Sequence, residues 1–361
     1  MEKFKLIEVF LYVLVLCFFS GQSKRLSDLR ILLLESSPSE EIHGFPNSWK
    51  SRRYSNRVSS ISHPSRTLFE SLGAWQDIET ARAKPVTRMQ VWESESDAHI
   101  SFGNGKQIVN YIIENDVVLE ALRRRVPDSV EIRYSCSADR YDLPHTIDEK
   151  AIVYLSDGSA IATDLIIGCD GASSLVRRSM GGQFLSFDYK QMGVVATLKL
   201  QNDDENKNST AWQKFLPTGP IALLPLTDDT SSLVWSTSKS HAKSLLSMDP
   251  QSFTDALNTS LWSDGSSSMP RWLHDLQQTC TDVLRDAGRM VSSLSTSGSY
   301  KLLPPPVVGV DSRAAFPLGL GHAINYTSSR VALLGDAAHR VHPLAGQGVN
   351  LGFGDVGAIT R

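Results

Sequence analysis

The chain has 361 residues, 41% of them apolar and 21% charged, with a formal net charge of -3. That is the composition of a globular protein with room for one large or two medium domains, and it lacks the basic footprint of a nucleic-acid binder. Cys17, Cys136, Cys169 and Cys280 are scattered, without CxxC or paired His/Cys spacing, which gives no metal site and reads as free thiols rather than a disulfide framework.

The first 28 residues stand apart. Two lysines precede an unbroken apolar run over residues 9–19, and Ser20 and Gly21 follow. This is the layout of a secretory signal peptide, too short for a comfortable membrane span. Export would make Asn208, Asn258 and Asn325 glycosylation candidates. Residues 29–35 then read as a short strand closed by Glu35. The segment over residues 54–62 carries Arg57, and His63-Pro64 opens a helix that Gly73 ends. Residues 86–92 and 100–102 read as strands joined by an acidic turn. Asn115 is expected to cap an amphipathic helix. Residues 130–134 form a further strand, and Asp157-Gly158 suits the turn of a hairpin.

Two stretches carry the chemistry. In residues 164–177 an apolar strand runs into Asp170-Gly171, and Ser173-Ser174 starts a helix carrying Arg177. Residues 330–350 repeat that logic: a buried strand, then Gly335-Asp336, then a turn-rich loop with His339, His342, Pro343, Gly346, Gln347 and Gly348, and a helix start at Asn350. A carboxylate at the carboxyl end of a strand in an open α/β sheet sits where ligands bind. A following helix N-terminus aims N–H groups and positive dipole at that ligand. Between the two stretches, residues 194–237 are β-rich and broken by Asn, Asp, Gly and Pro, as in an antiparallel sheet. Trp212, Phe215 and Trp235 are core or pocket aromatics there. Residues 241–300 read as helical and Ser-rich.

The order Gly-Asp-Ala-Ala-His, Pro, Gly-Gln-Gly-x-Asn over residues 335–350 resembles the second FAD-binding motif of flavoprotein aromatic monooxygenases, most closely the ubiquinone-biosynthesis hydroxylases. The Asp170-Gly171 stretch resembles that family's Asp-Gly motif. The resemblance implies an α/β fold: a Rossmann-like FAD-binding domain over residues 29–190 and 317–361, interleaved with an antiparallel-sheet substrate domain over residues 191–316. Strands within 86–102 would stand on the substrate side. The family's GxGxxG turn, which should precede Glu35 by about one helix, is not found in the sequence. Residues 1–28 are therefore read as a leader or a non-family segment replacing the first βα unit.

Carried over residue by residue, the resemblance implies FAD contacts at Glu35, Arg57, Asp170, Gly171, Arg177, Gly335, Asp336, Gly346, Gln347, Gly348 and Asn350. Glu35 would take the adenosine ribose and Asp336 a ribityl hydroxyl. His339, His342 and Pro343 are candidates beside the reacting ring, with a structural role for either histidine the competing reading. The implied reaction is hydroxylation of a polyprenylated 4-hydroxybenzoate or related phenol by O2 through a flavin C4a-hydroperoxide. Electrons would come from a ferredoxin chain or NAD(P)H. The expected setting is peripheral, on the matrix side of the mitochondrial inner membrane, with other ubiquinone-biosynthesis proteins. Two alternatives stand beside it: another FAD oxidoreductase on this fold, or a non-catalytic form that binds FAD poorly without GxGxxG.

Overall fold

The computed structural model describes residues 2–9, 30–38, 44–96, 98–146, 148–201, 207–263, 303–343 and 346–360. Among them, three sheets organise the chain. The first has a parallel path in the order Val331–Leu333, Ala160–Gly168, Glu2–Val9, Ile31–Leu34, Val130–Arg133. The Ala151–Leu155 and Ala138–Asp142 strands extend Ala160–Gly168 as an antiparallel flap.

Glu2–Val9 corrects the reading of residues 1–28 as a segment foreign to the fold. Ile7 stands opposite Ile166 on one side and Leu32 on the other, in the middle of the sheet. The strand expected to be missing is therefore present. A mixed charged and apolar run suits both a leader and a strand, and parallel pairing depends on partners far away in sequence. The apolar run over residues 10–19, where the first turn and helix would fall, lies outside the described residues.

Both faces of this sheet are buried, which is why its strands read as continuous apolar runs. Ile31, Leu33, Ile167, Ala332 and Leu334 pack with Phe69, Ile78, Val117 and Val118 from the His63–Ser71, Trp75–Arg82 and Asn115–Arg123 helices. Leu32, Leu34, Ile166, Val331 and Leu333 pack instead with Val176 and the flap residues Ala151, Val153 and Leu155. Asn115 does not cap its helix: Glu114 is the N-cap, and Asn115 Oδ1 accepts from Ser59 Oγ at 2.6 Å.

The second sheet runs His339–Arg340, Val307–Ala323, Phe184–Leu200, Thr230–Ser238, Gly219–Pro225, Thr210–Leu216, Arg88–Glu93, His99–Phe102. It is antiparallel except where Thr210–Leu216 meets Arg88–Glu93. The Lys239–Ser247 and Pro250–Trp262 helices cover one face, where Phe253 of the second helix joins Trp92, Trp212 and Trp235 of the sheet in one core. Trp212 and Trp235 are thus core residues, whereas Phe215 is partly exposed. Lys214 is fully buried, with its ammonium on the carbonyls of Ser260 at 3.0 Å and Leu261 at 3.2 Å. A cation there complements the negative end of the Pro250–Trp262 helix. The helical expectation for residues 264–300 lies outside the described residues.

Phe184–Leu200 and Val307–Ala323, each 17 residues long, pair along their length. The domain boundaries read from sequence fall inside these two strands, close to the register pair Met192 and Pro317. Two of the three glycosylation candidates have committed side chains. Asn208 Nδ2 donates to Thr227 O at 2.9 Å and Thr230 O at 3.1 Å. Asn258 exchanges two bonds with the main chain of Val307. A glycan at either amide would break these contacts. No helix among the described residues is long and apolar enough to cross a membrane.

Candidate active site

The parallel sheet brings three acidic side chains to one edge. Glu35 follows Ile31–Leu34, Asp170 follows Ala160–Gly168, and Asp336 follows Val331–Leu333. The outer two are three strand spacings apart, about 14 Å, with the end of Glu2–Val9 between Glu35 and Asp170. Such a row of carboxylates suits an elongated ligand bearing several hydroxyl groups.

Asp170 builds its own corner. Its Oδ2 accepts from the main-chain N–H groups of Leu175 at 2.6 Å and Val176 at 3.1 Å, at the start of the Leu175–Ser179 helix. Ser174 caps the same helix by accepting from Arg177 N at 2.9 Å. Gly171 turns the chain at φ +77°, a conformation that favours glycine. The other oxygen, Oδ1, is buried without a hydrogen-bond partner among the described residues.

Arg177 links the two motifs. One guanidinium nitrogen donates to Ala337 O and the other to Ala172 O, both at 2.7 Å, while the plane lies 3.8 Å from the centre of the Phe184 ring. The structure therefore gives Arg177 the role of a brace between the Asp170 turn and the Asp336 turn. Two charge-assisted hydrogen bonds, with the guanidinium steadied on the Phe184 ring, hold the turns at a fixed separation.

The loop after Asp336 is laced from several directions. His339–Arg340 pairs with the end of Val307–Ala323. Arg340 donates to Pro317 O. Asn350, near the start of the Gly348–Ile359 helix, accepts at Oδ1 from Ser62 N at 3.0 Å and Ser65 Oγ at 2.8 Å. Its Nδ2 donates to Ser60 O at 2.7 Å and Gly346 O at 3.2 Å. Those four bonds use the capacity of the amide, so Asn350 clamps the loop to the Val58–Ile61 strand rather than presenting a free group to a ligand. Gly346 sits at φ +59°, and a Cβ there would meet Ser60 Cβ at 3.0 Å. Phe353 meets Phe69 edge to face at 4.9 Å and seats the helix on the core.

Local sequence reading missed Asp355. Its Oδ2 accepts from Gly335 N at 2.8 Å and pairs with His339 Nε2 at 2.7 Å. The signal available was a lone charge in an otherwise uncharged helix, Gly348–Ile359. Hydrogen bonding to Asp355, offset by burial, raises the His339 pKa above its ordinary value. Burial raises that of Asp336, with Arg340 and His339 pulling the other way. His342 is lowered by burial and stands edge-on to Tyr189 at 5.2 Å. Pro343 accepts at its carbonyl from Gly346 N at 3.0 Å. Of the two histidines, His339 is engaged as a structural partner through Nε2.

The remaining expected residues are more peripheral. Arg57 is exposed, three residues before Ser60, on a segment anchored by buried Glu114. Glu114 takes Arg82 at 2.9 Å, Ser55 N at 2.7 Å and Trp49 Nε1 at 3.2 Å. Glu35 accepts from Ser37 N at 2.7 Å. Gln347 precedes Gly348 at the helix start.

These residues fit an FAD. The orphaned buried Asp170 Oδ1 calls for a donor, Asp336 offers a second carboxylate along the same edge, and Gly346 lets the loop main chain pass closely over Ser60.

Comparison with known proteins also points to FAD. The FAD binding domain family matches residues 49–283 and 304–361. The human mitochondrial ubiquinone biosynthesis monooxygenase COQ6 is 47% identical over 357 residues, covering 94% of this chain and 72% of that protein. The zebrafish protein of the same name is 45% identical over 353 residues, covering 94% and 70%. Among solved structures, PqsL, a probable FAD-dependent monooxygenase from Pseudomonas aeruginosa, superposes with a TM-score of 0.66 at 18% identity, covering 99% of this chain and 85% of that one. The p-nitrophenol 4-monooxygenase PnpA of Pseudomonas putida gives 0.62 at 18% identity, covering 100% and 79%. These two share the fold.

Proposed function

The chain belongs to the family of FAD-dependent ubiquinone biosynthesis monooxygenases, and from that premise we propose how its residues divide the work of hydroxylating a polyprenylated phenol. The observation carrying this reading is the row Glu35, Asp170, Asp336 along one sheet edge. Glu35 accepts from the ribose hydroxyls at the adenosine end. Asp170 Oδ1 and Asp336 accept from hydroxyls nearer the reacting ring. The N–H groups at the Gly348 helix start would favour negative charge on a ring bound beside them. When bound, FAD supplies the redox centre at which O2 is activated for transfer of one oxygen atom to the aromatic ring.

The substrate side is the sheet face turned away from the Lys239–Ser247 and Pro250–Trp262 helices. Ala222, Val234, Val195 and Ala314 stand in one row across four strands. Asn56 ties this face to the FAD side by accepting from Thr197 Oγ1 at 2.9 Å and Ser312 Oγ at 2.8 Å. An apolar wall of small side chains suits a flat phenol and keeps water away. To His342, whose pKa burial lowers from its ordinary value, we assign the role of taking the phenol proton.

Ubiquinone biosynthesis by mitochondrial relatives supports a mitochondrial setting, which we extend to peripheral attachment on the matrix side of the inner membrane beside other enzymes of the pathway. A ferredoxin chain or NAD(P)H delivers the electrons. The test is oxygen uptake by the reduced, FAD-loaded chain. Uptake that rises with a prenylated 4-hydroxybenzoate and yields a hydroxylated ring is expected. Uptake indifferent to any phenol would contradict hydroxylation and favour another FAD oxidoreductase.

A further inference from the structure

We infer that Asp355 is a positioning residue whose negative charge, set against the His339 imidazolium, holds the 335–340 turn in its cofactor-binding position. This rests on the assignment of that turn to FAD. One carboxylate oxygen serves two donors: the Gly335 N–H at 2.8 Å and His339 Nε2 at 2.7 Å. The first fixes the turn that aims Asp336. The second fixes the start of the His339–Arg340 strand on the far side of the same turn. Asp355 thus closes a bracket around Gly335, Asp336 and Ala337 from a helix that follows the loop. Side-chain exposure is 12% for His339 and 21% for Asp355, so solvent screens the pair only partly.

Several groups face His339. Asp355 comes from the helix, Asp336 from the preceding turn, and Arg340 follows it in the strand. The Tyr326 ring lies tilted at 5.8 Å, its hydroxyl 3.2 Å from His322 Nδ1, and His322 is the register partner of His339. The two carboxylates favour the imidazolium and Arg340 opposes it. The hydrogen bond to Asp355 acts most strongly and raises the His339 pKa. The bracket is therefore fully charged below the ordinary histidine value and is lost as pH rises through the raised value. FAD must find the turn in place, so its apparent affinity carries the fraction of chains in which the turn is ordered.

The test is fluorescence titration of the apoprotein with FAD across a pH series, for the wild type, D355N and D355A, with thermal unfolding to confirm that each variant folds. An Asn at 355 still accepts from Gly335 N–H and from a neutral imidazole, but it gives an imidazolium no opposite charge. D355N is expected to bind FAD on the order of tenfold more weakly than wild type near about pH 6 and equally near about pH 9. D355A is expected to bind on the order of tenfold more weakly or worse at every pH, having lost both acceptors. A D355N profile running parallel to wild type at every pH overturns the inference. A wild-type chain that binds no FAD at any pH overturns the cofactor assignment itself, and this inference with it.

Discussion

The two ends of the acidic row are held in different ways. At the Asp336 end, ties arrive from four distant parts of the chain: Arg177, Asp355, the Ser60–Ser65 segment through Asn350, and the strand ending at Ala323. At the Glu35 end the main chain is tied to residues 133–136, with Glu35 N–H donating to Arg133 O at 2.9 Å and Cys136 N–H to Glu35 O at 3.0 Å, but among the described residues the carboxylate bonds only its near neighbours Ser36 and Ser37, and residues 36–38 are exposed. Side chains from elsewhere in the chain fix the first end, whereas at the second distant contacts fix the main chain and only neighbours hold the carboxylate. Binding at a preorganised end needs little ordering, so most of its interaction energy appears as affinity. An exposed carboxylate held only by its neighbours contributes contact to a ligand and little to the fold.

If this contrast is right, substitutions at the two ends separate stability from affinity. The largest effect is expected at Arg177. R177M removes both carbonyl bonds and the contact with Phe184, and should lower stability by about 3 kcal/mol and weaken FAD binding as well. Denaturant unfolding of the apoprotein together with FAD titration reads both, and unchanged stability would break the brace assignment. N350A comes next. It leaves the Ser62 N–H and the Ser60 carbonyl without their side-chain partner, for about 2 kcal/mol, again in both measurements. The smallest stability effect is expected at Glu35. E35A should stay within about 0.5 kcal/mol of wild type in unfolding, yet lose FAD affinity by about tenfold. A large stability loss at Glu35, or none at Arg177, would reverse the contrast.

Much of the site was legible because its signals are local. An apolar strand followed by Gly335-Asp336, or by Asp170-Gly171, declares a strand end, a turn and a carboxylate within a few residues. What was not legible depends on distant partners. Asn350 reads as a ligand group until its four bonds to the 60–65 segment and Gly346 are seen. Asp355 is a lone charge on an otherwise uncharged helix, and its partners appear only once the turn folds back beneath it. Arg177 stands among the implied FAD contacts in the sequence, and meets two carbonyls in the structure. Glu2–Val9 shows the same limit at the scale of the fold. Its mixture of Glu, Lys and apolar residues ahead of a long apolar run suits a leader as well as a strand, and only the pairing with Ala160–Gly168 and Ile31–Leu34 decides between them.

The central claim is that one edge of the parallel sheet, from Glu35 through Asp170 to Asp336, holds a single FAD. The most direct measurement is the visible spectrum and flavin content of the purified chain after incubation with FAD and removal of the excess. The account expects a yellow protein with stoichiometric FAD, released by combining D336A with E35A while the chain stays folded. A folded wild-type chain that remains colourless, or a double variant that keeps its flavin, would contradict it.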